Sequence, residues 1–383
     1  MKKILLKGYF GFGNLGDDLL LLISWNIVRK RFPQTNIKVF SNFTHNLPGY
    51  KQHRGYNQYI YKLLGEKTEI IDWTHQEHFD LVFNGGGGIY FDHTRGNFLL
   101  EMRNMILRIL GAHATRRIEV FIRKITFRRE NICFDQRVGV GIGIGEFAWG
   151  APSFFRKLSE IGSYSMLLVR DHHSLHQLDN FRIKAEKGEF SDLVFLMGYW
   201  LRAIPEKIKP SPDTIGIVLM DWPGSKERFE KIKNFERLIA AKGYGVRYFS
   251  FDENHDVAYI REFGERNLFV WQPNILSVED FLKSLAACDV VITTRAHGAI
   301  AGACLGAVPI CINISKKLEQ VAGMLPNAAS LINDDFAAKD LVLEVESIAN
   351  HWKRKQDSLY LEVQENQKKM NTGIDLLMKY LHG

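Results

Sequence analysis

Cysteine is scarce in this sequence and never paired. Cys133, Cys288, Cys304 and Cys311 contain no Cys-x-x-Cys spacing and stand in apolar, strand-like or helix-like surroundings. Each reads as a buried, reduced thiol rather than a metal ligand or half of a disulfide. Long apolar runs are missing as well. No window offers the about 18 uncharged apolar residues that a membrane-spanning helix needs. The opening MKKILLKGYFG is interrupted by Lys7 and Gly8, too early for a secretory leader. Short-period repeats and low-complexity tracts are absent, so neither a solenoid nor a disordered tail is expected. A cytoplasmic chain follows as the expectation.

What is present is ordinary globular composition, 46% hydrophobic and 24% charged over 383 residues. That length suits two domains better than one core. A formal charge of +7 favours anionic ligands or surfaces as partners, although a generically basic surface accounts for it equally well. No zinc-finger, RRM or KH signature accompanies the charge, so nucleic acid is not an expected partner.

Strand-like runs alternate with helical segments, which predicts an α/β protein with parallel sheets. The first series of strands is Ile4–Phe10, Ile37–Ser41, Leu81–Asn84, Val138–Ile144 and Met166–Arg170, with a helix over Asp17–Phe32 stopped by Pro33. A basic, proline-bearing stretch, Leu201–Thr214, reads as a linker. The second series is Ile215–Met220, Val246–Phe251, Leu268–Trp271, Val290–Thr293 and Val308–Ile312. Two Rossmann-like domains facing a cleft are therefore expected, residues 1–200 and 215–335. Residues 336–383 have helical periodicity and should pack back across the molecule. Met102–Arg129 alternates arginines with Ile, Leu and Phe at helical spacing. Such a segment can lie on an anionic membrane, here the inner face, but a globular helix with its arginines in water is the commoner case.

Four motifs carry chemistry. In GYFGFGNLGDD, Gly8, Gly11, Gly13 and Gly16 let the backbone turn and approach a ligand. Asn14 tolerates left-handed geometry, and Asp17 stands at the expected helix N-cap. The literal GxGxxG match lacks the acidic residue that a dinucleotide site wants after its second strand. In FNGGGGIYFD, Gly85, Gly86, Gly87 and Gly88 fall at a strand's carboxyl end, where α/β folds bind ligands. In TTRAHGAIAGACLG, Arg295 offers a planar donor fork for carboxylate or phosphate, and His297 an acid–base. In MLLVRDHHSL, Arg170 and Asp171 end a strand. The neighbouring His172, His173 and His176 lack a matching carboxylate pattern, so no metal is expected.

In chain order, GNLGDD, NGGGG, VRDHHS and TTRAHGAIAGACLGAVPI resemble the polysaccharide pyruvyl transferase family. A lysine downstream of the histidine is expected in that family, and Lys317 is the better match, with Lys316 beside it. The chain departs from the pattern at Ala296, where leucine is usual, and at Met220, where arginine is usual. The resemblance implies a glycosyltransferase-B-like fold. It implies transfer of pyruvate from phosphoenolpyruvate to two hydroxyls of one sugar in a cell-surface glycan or its precursor, free or lipid-linked. The product is a cyclic ketal, phosphate is released, and no cofactor is needed. On that basis Arg170, Arg295 and Lys317 bind phosphoenolpyruvate on the second domain's side. His297 is the acid–base, and Asp17 binds or deprotonates the acceptor beside Gly13, Asn14, Gly16 and Gly85 to Gly88. Two alternatives stay open: a nucleotide-sugar glycosyltransferase of the same build, and a non-catalytic saccharide-binding or membrane-surface protein.

Overall fold

The computed structural model describes residues 3–41, 56–72, 75–90, 132–145, 152–201 and 209–382. The basic stretch Met102–Arg129 and residues 202–208 of the expected linker lie outside them.

Two parallel sheets organise the chain. The first contains β1 (Lys3–Lys7), β2 (Asn36–Phe40), β3 (Glu69–Ile71), β4 (His78–Tyr90), β5 (Cys133–Ile144), β6 (Met166–Val169) and β7 (Glu186–Glu189), in the order β3-β2-β1-β4-β5-β6-β7. The second contains β8 (Thr214–Val218), β9 (Gly245–Ser250), β10 (Leu268–Val270), β11 (Val290–Thr293), β12 (Val308–Asn313) and β13 (Ser330–Asn333), in the order β10-β9-β8-β11-β12-β13. This is the expected pair of Rossmann-like halves. The strand order reverses between β1 and β4 in one sheet and between β8 and β11 in the other. Loops leave such a point in opposite directions and open a crevice at the carboxyl ends of the strands. The GYFGFGNLGDD and TTRAHG motifs follow β1 and β11 and the glycine run forms the end of β4, so the topology delivers these three motifs to the two crevices.

The helices of the first half are α1 (Leu15–Arg31), α2 (Tyr56–Leu64), α3 (Pro152–Ile161) and α4 (His172–Asn180). The second half has α5 (Ser225–Ala240), α6 (Val257–Phe263), α7 (Val278–Ala286), α8 (Ala296–Cys304), α9 (Lys316–Met324) and α10 (Ala338–Asn350). Then α11 (Trp352–His382) closes the chain. Helix α1 buries Leu15, Leu19, Leu20, Ile23 and Ile27 together with Asp18 and Ser24. Burial this far around its circumference marks a helix enclosed by other elements rather than one lying on a surface. Helix α11 returns to the first half, where Asn366 Oδ1 accepts from Ser191 Oγ at 2.7 Å and Gly373 packs on Phe190. The C-terminal helices thus cross the molecule as expected.

The expectations missed β3, β7 and β13. All are edge strands of three or four residues, one of them without an apolar side chain (EKGE) and one half polar (SLIN). An edge strand needs no continuous apolar run, because one side faces solvent. The strand expected to stop at Asn84 runs on to Tyr90, so the four glycines lie within β4 rather than after it. Cys288, Cys304 and Cys311 are buried as expected, but Cys133 is exposed at the first residue of β5, before that strand enters the core. Among the described residues no helix is long and apolar enough to cross a membrane.

Candidate active site

The loop after β1 turns through Gly11 (φ 87°) and Gly13 (φ 72°) and then starts α1. The N-cap is Asn14, not Asp17. Asn14 Oδ1 accepts from Gly16 N at 3.0 Å and Asp17 N at 3.4 Å. Those two amides are thereby satisfied within the loop. Asn14 also donates through Nδ2 to Asp252 Oδ2 at 3.2 Å, and Leu15 N donates to Phe251 O at 2.9 Å. The start of α1 is therefore fastened to the end of β9 in the other half. Asp18, wholly buried, accepts from Tyr59 on α2 and, at 2.8 Å, from Trp271 Nε1 beyond β10. Burial pushes its pKa up to about 7, against those two hydrogen bonds. Of the paired aspartates, Asp18 joins the halves and Asp17 is left for the cleft.

Gly16 has a steric reason. A Cβ there would lie 2.1 Å from Nδ1 of His297, so only glycine lets the imidazole rest on the first turn of α1. Along β4, Gly85 packs on Ser24, Gly86 on Leu20, and Gly87 lies near Leu20 and Asp17. At Gly88 an added Cβ would stand 3.1 Å from Lys317 Nζ and 3.7 Å from Arg170 Nη2. That one glycine is flanked by cations from both halves.

Arg170, at the end of β6, is held by Asp192 Oδ2 at 3.0 Å from Nη1 and by Asp171 Oδ2 at 3.4 Å from Nε. Asp171 itself caps α4 through Ser174 N at 2.7 Å. Arg295 is the N-cap of α8, and its Nη2 donates to Asp256 Oδ1 at 2.5 Å. Lys317 stands in the first turn of α9. Burial, and then the neighbouring Arg170, bring its pKa down to about 8, with Asp17 opposing. Asp17 moves the other way. Burial raises it to about 6 although His297, Lys317 and Arg295 favour its charged form.

His297 lies in the first turn of α8 with Nε2 3.7 Å from Asp192 Oδ2. Burial would raise the carboxyl of Asp192, but His297 and Arg170 overcome it and hold the pKa at about 2.

Asp17, Gly88, Arg170, Arg295, His297 and Lys317 line a cleft of about 500 Å³ between the halves. From the first half come Tyr9, Asn14, Asp17, Gly87, Gly88 and Arg170; from the second, Met220, Trp222, Asp252, His255, Arg295, Ala296, His297 and Lys317. Gly13, Gly16, Gly85 and Gly86 shape the walls without lining it. Sequence reasoning missed Asp192, Asp252, His255 and Asp256. Asp192 precedes an apolar LVF and reads as a cap, which it also is, through Val194 N. Its pairing with Arg170 spans 22 residues and that of Asp256 with Arg295 spans 39, so no local pattern announces either. The carboxylates and histidines close enough to share a cation among the described residues, Glu69 with His75 and Glu77, and His78 with Asp80 and Asp135, stand near the amino end of β4, opposite the cleft.

The family model for polysaccharide pyruvyl transferases matches residues 14–316, most of the chain. The chain belongs to the polysaccharide pyruvyl transferase family. For this pyruvyl transferase family member the match ends one residue before Lys317. No curated protein matches it. Solved structures similar to it include the UDP-GlcNAc 2-epimerase of Methanocaldococcus jannaschii, 13% identical with a TM-score of 0.56, covering 99% of this chain and 100% of that one. The Staphylococcus aureus protein MnaA with UDP is 11% identical, with a TM-score of 0.59 over 100% of this chain and 97% of that one. The UDP-GlcNAc 2-epimerase of Neisseria meningitidis with UDP-GlcNAc is 10% identical, TM-score 0.52, over 99% and 100%. At such identities the likeness concerns the two-domain fold alone.

Proposed function

We propose that this transferase moves pyruvate from phosphoenolpyruvate to two hydroxyls of one sugar in a cell-surface glycan or its precursor. The observation that carries the reading is the meeting of Lys317 and Arg170 at Gly88. Like charges drawn from different halves into a half-dry cleft repel one another, and Lys317 already loses part of its proton affinity there. A compact anion removes that penalty, and phosphoenolpyruvate brings both a carboxylate and a phosphate.

The reaction then needs one proton donor and one acceptor. The protonated imidazole of His297 gives a proton to C3 of the donor, leaving cationic character at C2. A sugar hydroxyl forms the first C2–O bond as Asp17 takes its proton. A second hydroxyl of the same sugar forms the next C2–O bond while the bond from C2 to the phosphate oxygen breaks. Phosphate departs with the electron pair, and the second hydroxyl's proton returns to His297. Asp17, held near 6, is ionised at neutral pH yet basic enough to accept a proton. Arg170, Arg295 and Lys317 neutralise the donor and the leaving phosphate.

The test is incubation with phosphoenolpyruvate and galactose-, mannose- and glucose-terminated acceptors, following phosphate release and acceptor mass. Turnover with one acceptor supports the reading. No turnover, together with no binding of phosphoenolpyruvate, overturns it. The neighbouring fold with UDP bound in MnaA suggests the second reading, a nucleotide-sugar transferase. Thermal stabilisation by UDP or GDP and none by phosphoenolpyruvate would favour that reading instead.

A further inference from the structure

One buried carboxylate touches both the donor-side cation and the imidazole. Asp192 is fully buried, following β7 in the first half. Its Oδ1 accepts from Val194 N at 3.1 Å, and its Oδ2 faces Arg170 Nη1 at 3.0 Å. The same Oδ2 lies 3.7 Å from His297 Nε2, which reaches it from α8 of the second half. That nitrogen is sealed from solvent and has no hydrogen-bond partner among the described residues. A buried, unpartnered ring nitrogen is costly, and the nearest remedy is a carboxylate under one ångström beyond bonding reach. The other nitrogen, Nδ1, rests against Gly16, on the side where Asp17 borders the cleft.

We propose that Asp192 is the positioning residue of this site: it accepts Nε2–H from His297, fixes the neutral imidazole as the Nε2–H tautomer and leaves Nδ1 as the nitrogen that exchanges protons with substrate. This rests on the acid–base role proposed above for His297. An imidazole offers one donor and one acceptor when neutral, so the bond at one nitrogen decides what the other can do. The carboxylate cannot accept from a bare Nε2 lone pair, whereas it pairs well with Nε2–H. Because the same oxygen faces Arg170, anchoring the donor and aligning the acid–base depend on one side chain. Gly16 completes the arrangement from the opposite side by leaving room for the ring to lie in this position.

The experiment is ¹⁵N-histidine NMR of the whole protein above the titration of His297, with His297→Ala identifying its signals. The wild type should show His297 protonated at Nε2, and an Nδ1–H tautomer there overturns the proposal without any variant having to fold. Asp192→Asn keeps an acceptor for Arg170 but can donate to Nε2, so the tautomer should reverse. Phosphoenolpyruvate binding, read by calorimetry, should stay within about threefold while turnover falls about 10²-fold or more. An unchanged tautomer in Asp192→Asn, or equal losses in binding and turnover, overturns it. If the wild type shows the Nε2–H tautomer but turns over no acceptor, the functional reading fails and the placement of the proton stands.

Discussion

The two topological switch points make unlike contributions to one cleft. The crevice between β1 and β4 is built from glycines, and its principal service is room: Gly16 admits the imidazole, and Gly88 admits a lysine and an arginine. The crevice between β8 and β11 supplies Arg295 and His297, proposed above to bind the donor and exchange its proton, to which the first crevice adds Asp17. Neither half is a site alone. The difference teaches that glycine and charge must be read as partners across the halves, since the space on one side is shaped to the groups on the other.

The sharpest way to break this comparison is His297→Ala. Removing the acid–base should reduce turnover by about 10²–10⁴-fold with the far-ultraviolet circular dichroism unchanged; retained turnover removes His297 from the chemistry. Gly16→Ala tests the opposite partner. Its Cβ would press on Nδ1 of His297 at 2.1 Å, so turnover should fall about 10²-fold, with a stability loss of about 1–3 kcal/mol by thermal unfolding. Gly88→Ala should be milder, because the groups it meets are the free ends of long side chains. Full activity in Gly16→Ala would show that its absent side chain serves only the turn.

Lys317→Met should raise KM for phosphoenolpyruvate about tenfold to a hundredfold, the scale of one charged hydrogen bond of roughly 1.5–3 kcal/mol, and change KM for the acceptor little. The smallest effect is on pH dependence. Asp17 must be ionised to accept a proton, so kcat/KM should fall as pH drops through about 6. In the proposed reaction Lys317 binds the donor as a cation, so kcat/KM should fall again as pH rises through about 8. Asp17→Asn should abolish most activity together with the acid limb, and Lys317→Arg should move the alkaline limb upward. Limbs that stay put in both variants would assign the titrations to other groups.

Much of this organisation was legible in the sequence wherever the information is local. Buried central strands such as Met166–Val169 and Val290–Thr293 are continuous apolar runs, and the motifs at their tips stand out against them. Of the edge strands only Leu268–Val270 stood out; Glu186–Glu189, for one, has no buried face to mark. The cap of α1 was misplaced by three residues, since Asn14 and Asp17 are both good caps and only the turn geometry chooses between them. The carboxylates that hold the arginines were invisible for a different reason. Asp192 and Asp256 gain meaning from partners brought near by sheet topology, and an isolated aspartate before a helix always has a sufficient local explanation.

One fastening described above has a mechanical consequence. The bonds from Asn14 to Asp252 and from Leu15 to Phe251 work as a hinge pin placed at the mouth of the cleft. Lys317 and Arg170 reach the cleft from opposite halves beside that pin, and Arg170 disfavours the charged form of Lys317. On the proposed function, phosphoenolpyruvate bound between them offsets that repulsion and draws the halves together. Small-angle scattering should register a smaller radius with phosphoenolpyruvate than without it, and Lys317→Met should erase most of that change.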